Sequence, residues 1–259
     1  MAEIYLTRDL TDILRWSYIT TGEVYLAATV TSGLSYRGGN MAHRPALRHL
    51  VFLFVLIFAR AANASSCAPP PGFQDGPHPV IAAPDQLVSH TEVIVVPQPF
   101  SVVLDAMNKP LEKTINKSDS LPGVSGDYML TKGEFGSPGS RHIVCLTDGT
   151  STEEEALEHE EVATSSHFRY IVWNYTTSKA KPIAYGVGEF RTVQLDAGHT
   201  RITWTYSFKL KTDVFPGELG ALGRWLFRVR FLDAEYAAMM KDVLNGYKQD
   251  AEQRPAIPR

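Results

Sequence analysis

Little in this chain announces a chemistry. Its 259 residues include two cysteines, Cys67 and Cys145. No G-x-S-x-G, H-E-x-x-H, phosphate-binding loop or dinucleotide fingerprint occurs, so the usual marks of hydrolase, zincin, P-loop and Rossmann chemistry are missing. No second His or Cys stands at metal-ligand spacing beside the acidic runs, and neither a cofactor nor a metal is expected. Charge of one sign is lacking too. Twenty-five Lys and Arg against 28 Asp and Glu leave a net charge of −3. That is no electrostatic footprint for nucleic acid, which is not expected as a partner. Long hydrophobic runs are absent as well. Leu50–Ala59 offers ten apolar residues, about 15 Å of helix against a hydrocarbon core of about 30 Å, too short for a stable span.

What that run does fit is a secretory signal. Arg44, Arg48 and His49 precede it, and Arg60 followed by Ala61, Ala62, Asn63 and Ala64 closes it. A basic region, a short apolar core and a small-residue exit are the parts of a signal peptide, with cleavage after Ala64. Met41 would begin such a peptide in the ordinary place, so 1–40 reads as an upstream extension and 41–64 as the signal. The expected location is therefore outside the cytoplasm, periplasmic or secreted. The remainder from Ser65 is long enough for one domain with a substantial core.

Ser65 to about residue 87 is dense in proline and glycine and reads as a linker; 251–259 reads as a tail. In an exported chain Cys67 and Cys145 could pair, closing a loop worth about 4 kcal/mol in the chain-entropy model. Cys67 falls in the linker, however, and Cys145 in a buried strand, so the sequence leaves the pair unjoined. Ala64-Ser65-Ser66-Cys67 is also similar to a bacterial lipidation box, with Ala64 where leucine usually stands. Lipidation there, or the signal peptide, would be the route to a membrane.

Between linker and tail the order of elements is legible. His90–Val96 is β-branched and halts at Pro97, a strand. Pro99–Met107 reads as a short helix with proline near its first turn, and Asn108–Ser120 holds a second helical piece. Strands follow at about 127–134, 140–147, 152–161, 166–175, 183–194 and 199–210, separated by turns rich in Gly, Ser, Asp and Pro. In Arg201–Phe208 the residues Ile202, Trp204, Tyr206 and Phe208 alternate with Thr203, Thr205 and Ser207, so one face is buried and the other wet. From Leu222 the period changes. Leu222, Leu226, Val229, Tyr236, Met240, Val243 and Tyr247 predict one amphipathic helix of about 30 residues.

This order resembles the helix-grip fold, and the residues resemble the START/polyketide-cyclase (SRPBCC) superfamily over about 88–250. PQPFSVVLDAM, LPGVSG, GSRHIVCLTDGTSTEEEALEHEE, HFRYIVWNYT and GEFRTVQLDAGHTRITWTYSFK carry the resemblance. It implies an α+β architecture: a curved antiparallel sheet wrapped around a long C-terminal helix, with two short helices after the first strand. It also implies an apolar cavity for a hydrophobic small molecule or lipid.

Tyr170, Tyr185, Trp204, Tyr206 and Phe208 are the candidate cavity walls, although simple core packing accounts equally well for any one of them. Alternation around Leu157 places Glu155 and His159 on one face as an acid and base. Against that, six glutamates between Glu153 and Glu161 are the ordinary sign of a solvated strand. In 183–191, Glu189 and Arg191 share a face with Tyr185, as a head-group grip or a surface pair. Asn116-Lys-Ser and Asn174-Tyr-Thr fit glycosylation sequons. Three functions stay open: an exported carrier of a hydrophobic molecule, a cyclase or dehydratase using Glu155 and His159, and an interaction module with a filled core.

Overall fold

Short polar turns between successive β-rich segments leave neighbouring strands no choice but to run antiparallel. The computed structural model describes residues 67–115 and 121–254. It has seven strands: β1 (Val88–Val96), β2 (Val124–Met129), β3 (Arg141–Leu146), β4 (Ser151–Val162), β5 (Ser165–Trp173), β6 (Ile183–Asp196) and β7 (His199–Leu210). They form one antiparallel sheet in the order β1-β7-β6-β5-β4-β3-β2, so β1 and β2 are its two edges. The chain passes from one edge to the other through α1 (Phe100–Met107) and α2 (Leu111–Thr114). Pro99 caps α1, and Phe100, Val102, Val103 and Ala106 are buried. The expected upstream extension, signal peptide and cleavage site lie outside the described residues, as does Asn116.

The second layer is a continuous C-terminal helix: α3 (Ala221–Phe227), a π-helical stretch Arg228–Tyr236, and α4 (Ala237–Glu252). No helix among the described residues is long and apolar enough to cross a membrane. In α4 the expected stripe is right: Met240, Val243 and Tyr247 are buried against the sheet. In α3 it is wrong. Leu222 and Val229 face outward, and Gly223, Phe227 and Leu232 take their place. The cause is the π stretch, whose i→i+5 bonds widen the turn and slip the phase by about one residue per turn. Gly223 is held to glycine by close approach, since a Cβ there would run into the Pro216 carbonyl.

The linker reading of 67–87 also needs correction. Cys67 and Cys145 form a disulfide, with Cα atoms 5.6 Å apart. From that anchor the segment runs over the outer face of the sheet. Arg141 donates to Asp75 through both terminal guanidinium nitrogens and to the Gly76 carbonyl through Nη1. Ile81 and Leu87 pack on Ile171, Trp173, Tyr185 and Val187. Those four apolar residues point away from the helix and would otherwise stand in water. Covering them is the driving force that turns a proline-rich segment into a strap. The Cys67 sulfur, which lipidation would require, is the one joined to Cys145.

Candidate functional site

Directly opposed residues in an antiparallel sheet share a face. Following the register from Trp204 and Tyr206 gives the inner face: Gly188 and Phe190 on β6, Phe168, Tyr170 and Val172 on β5, Glu154 and Ala156 on β4, His142 on β3. Tyr170, Trp204, Tyr206 and Phe208 are thus together, as the sequence led us to expect, and all are buried. Their rings touch one another and the helix: Tyr206 has centroids 4.8 Å from Phe208, 4.7 Å from Tyr236 and 6.2 Å from Tyr170. The space between sheet and helix is largely filled by aromatic rings. Two glycines make the room. A Cβ on Gly186 would stand 2.6 Å from the Tyr206 ring, and one on Gly188 would fall inside the Tyr170 ring.

Tyr185 is not among them. The register slips between Ile183 and Tyr185, sending Ile183 inward and Tyr185 to the outer face. There the Tyr185 hydroxyl accepts the Ala82 N–H at 2.7 Å and helps hold the strap. Glu189 and Arg191 follow Tyr185 outward and pair with each other at 2.5 Å.

A second slip, between Ala156 and Glu158, separates Glu155 from His159. Glu155 faces the strap, 4.0 Å from His78. Past the bulge His159 lies on the inner-face register opposite Phe168, exposed at the rim, with Nδ1 2.9 Å from the Gly136 carbonyl. They are not an acid–base pair.

The carboxylate that enters is Glu154, one residue earlier. Opposite it stands His142, with Nε2 3.6 Å from Glu154 Oε2 and Nδ1 3.3 Å from Asp127 Oδ2 on edge strand β2. Burial alone would lower the His142 pKa, but Glu154 and then Asp127 more than offset it, and the net shift is upward. Phe135, from the Gly133–Gly139 loop, lies flat on the imidazole at 3.8 Å. Around this pair stand Tyr170, Tyr175, Tyr206 and Tyr236. Burial pushes their phenols well above the usual range, and the Glu154 charge adds to it in each case. They are neutral hydroxyl groups at any ordinary pH. Among the described residues three buried side-chain atoms make no hydrogen bond: Tyr175 Oη, Trp204 Nε1, and His142 Nε2, which is left with its Glu154 contact at 3.6 Å.

The sequence reading missed His142, Glu154 and Tyr175, and had Tyr236 only as a member of the helix stripe. A signal for the first two existed. The turn Thr147–Thr150 sets a hairpin register that brings His142 opposite Glu154. Among the described residues no cluster of three His, Cys, Asp or Glu side chains is placed to hold a metal ion.

Two open grooves lie elsewhere. One, of about 470 Å³, runs between the strap at Pro70–Gln74 and strands β3–β5. The other, of about 400 Å³, is on the C-terminal helix at Trp225, Leu226, Val229, Arg230 and Ala234.

No protein-family model matches the chain, and no curated protein sequence does. Among solved structures, the chain is similar to Ara h 8.0201 at 12% identity and a TM-score of 0.45, covering 65% of this chain and 99% of that one. It is similar to the Zhui aromatase/cyclase from Streptomyces sp. R1128 at 14% identity and 0.44, covering 65% and 95%. The di-domain ARO/CYC StfQ from the steffimycin biosynthetic pathway gives 14% and 0.47, covering 67% of this chain and 54% of that one. By its own strand order, the paired short helices after β1 and the long helix laid across the inner face, the chain has the helix-grip fold.

Proposed function

We propose that the chain binds a mostly apolar small molecule carrying one or two polar oxygen groups, between the sheet and the C-terminal helix. The observation that carries this reading is a set of buried polar atoms without a hydrogen bond in one aromatic interior: Tyr175 Oη, Trp204 Nε1, and His142 Nε2, whose ion-pair partner Glu154 stands 3.6 Å away. A buried donor left unsatisfied costs about 1–3 kcal/mol, and packed cores avoid it. A ligand oxygen would satisfy such groups while its hydrocarbon part met the surrounding rings. Binding requires rings to give way. Phe135 is only partly buried and covers His142, so it is the first to move.

A catalytic reading has one specific support, the closeness of His142 and Glu154 in a buried setting. A protonated imidazole beside a carboxylate suits a proton transfer to and from a bound carbonyl compound. Export is part of the same proposal. The Cys67–Cys145 disulfide fits an oxidising compartment.

Native mass spectrometry of the purified protein after exposure to a lipid extract tests the reading. A non-covalent adduct that denaturation removes, and that His142→Leu weakens, is the expected result. Bare protein mass under every condition would defeat it. If a bound compound is also turned over, Glu154→Gln should keep the adduct and stop the turnover.

A further inference from the structure

The slip in helical phase leaves an apolar face with no counterpart in the fold. Leu222, Trp225, Leu226 and Val229 recur at three- and four-residue spacing on one side of the C-terminal helix. Leu222 and Trp225 are each 57% exposed and Val229 46%. Leu219 and Phe215, just before the helix, are exposed as well. Trp173 and Trp204, by contrast, are buried.

Three arginines stand within the same stretch. Arg230 lines the groove with Trp225 and Val229, and Arg224 and Arg228 lie on the remaining arc. Arg228 pairs with Asp233, which also holds His90. Among the described residues the guanidinium groups of Arg224 and Arg230 have no ion-pair partner. Glu218 precedes the stripe and Glu235 follows it; no acid falls between 219 and 232.

We propose that this face docks on an anionic lipid bilayer, with Leu222, Trp225 and Val229 entering the head-group boundary and Arg224 and Arg230 meeting lipid phosphates. Tryptophan and leucine on one side of a helix with arginine beside them is the composition of an in-plane interfacial helix. Size separates this from a protein interface. A stable protein contact engages about 20–30 residues a side. Here the apolar and basic groups come from one stretch between Phe215 and Arg230. Charge separates it from a generic attraction, since the chain as a whole is net negative at −3 and only a local patch would draw it to an anionic surface. The proposal does not depend on what occupies the interior.

The test uses the full chain with vesicles of phosphatidylcholine alone, and of phosphatidylcholine with about one third phosphatidylglycerol. Expected are co-sedimentation with the anionic vesicles and a blue shift in tryptophan emission that Trp225→Phe removes. Leu222→Ser with Trp225→Ser should weaken binding about tenfold or more. Arg224→Gln with Arg230→Gln should erase the preference for phosphatidylglycerol. All substituted positions are at the surface, so an unchanged melting midpoint certifies the fold of each variant. Equal binding by the Ser variant overturns the proposal, as does an anionic preference that survives loss of both arginines. A dimer that forms with concentration and vanishes in the Ser variant, with no vesicle binding, would overturn it in favour of a second copy of the chain.

Discussion

His142 and Glu154 face each other across β3 and β4, with Nε2 and Oε2 3.6 Å apart and side chains 2% and 10% exposed. Because the carboxylates raise the imidazole above its ordinary 6.5, the folded state holds that proton more tightly than the unfolded chain. The stability this contributes is fully present below about pH 6.5 and is lost as pH rises through the folded value. The melting midpoint should therefore decline as pH rises above about 6.5. In Glu154→Gln one of the two raising carboxylates is gone while burial and Asp127 remain, and the His142 ring, followed by NMR, should titrate lower than in the parent protein. An unmoved titration would show that Glu154 does not govern this group.

Glu153 points the other way, into the outer face, where its side chain has no solvent exposure. Burial raises its pKa above 4.5, with Asn174 and Arg141 only partly opposing. Its contribution is present below about pH 4.5 and lost as pH rises through the folded value. Glu153→Gln should raise the melting midpoint at pH 7, and the gain should shrink toward pH 4. Arg141 keeps Asp75 in the variant. A lower midpoint at neutral pH would contradict this account.

Gly188→Ala should destabilise by about 1–3 kcal/mol, the usual cost of overpacking, because its methyl group would occupy the Tyr170 ring. Adding Tyr170→Leu should recover much of that loss, which chemical denaturation of the single and double variants would measure. Additive penalties would place the strain elsewhere.

Reduction or Cys145→Ser should cost about 4–5 kcal/mol in the chain-entropy model, given a sequence separation of 78. The non-reduced folded protein should show no reactive thiol. Amide exchange at Ala82, whose N–H is held by Tyr185, should accelerate in the variant as the strap loosens.

Strand β7 was readable from sequence because nothing interrupts its alternation: Ile202, Trp204, Tyr206 and Phe208 all point to the helix. The inner-face carboxylate was not, because the β4 bulge at Leu157 breaks the two-residue period between Glu155 and His159. Tyr185 was lost to the same cause in β6. The π stretch did for the helix what the bulges did for the strands, and Leu222 changed sides. The strap escaped notice since proline-rich composition carries no period, while its partners Ile171 and Trp173 lie about a hundred residues downstream. Locally periodic segments were legible; wherever one extra residue per turn or per strand enters, spacing arguments fail.

The bond between Cys67 and Cys145 closes a covalent ring that contains both edge strands, β1 and β2. A protease that nicks the exposed Lys132–Gly139 loop would therefore cut the backbone without releasing either fragment. Such a molecule would migrate as one species until reduced, and then as two. Against any protease that reaches this loop, the ring converts a lethal cut into a scar.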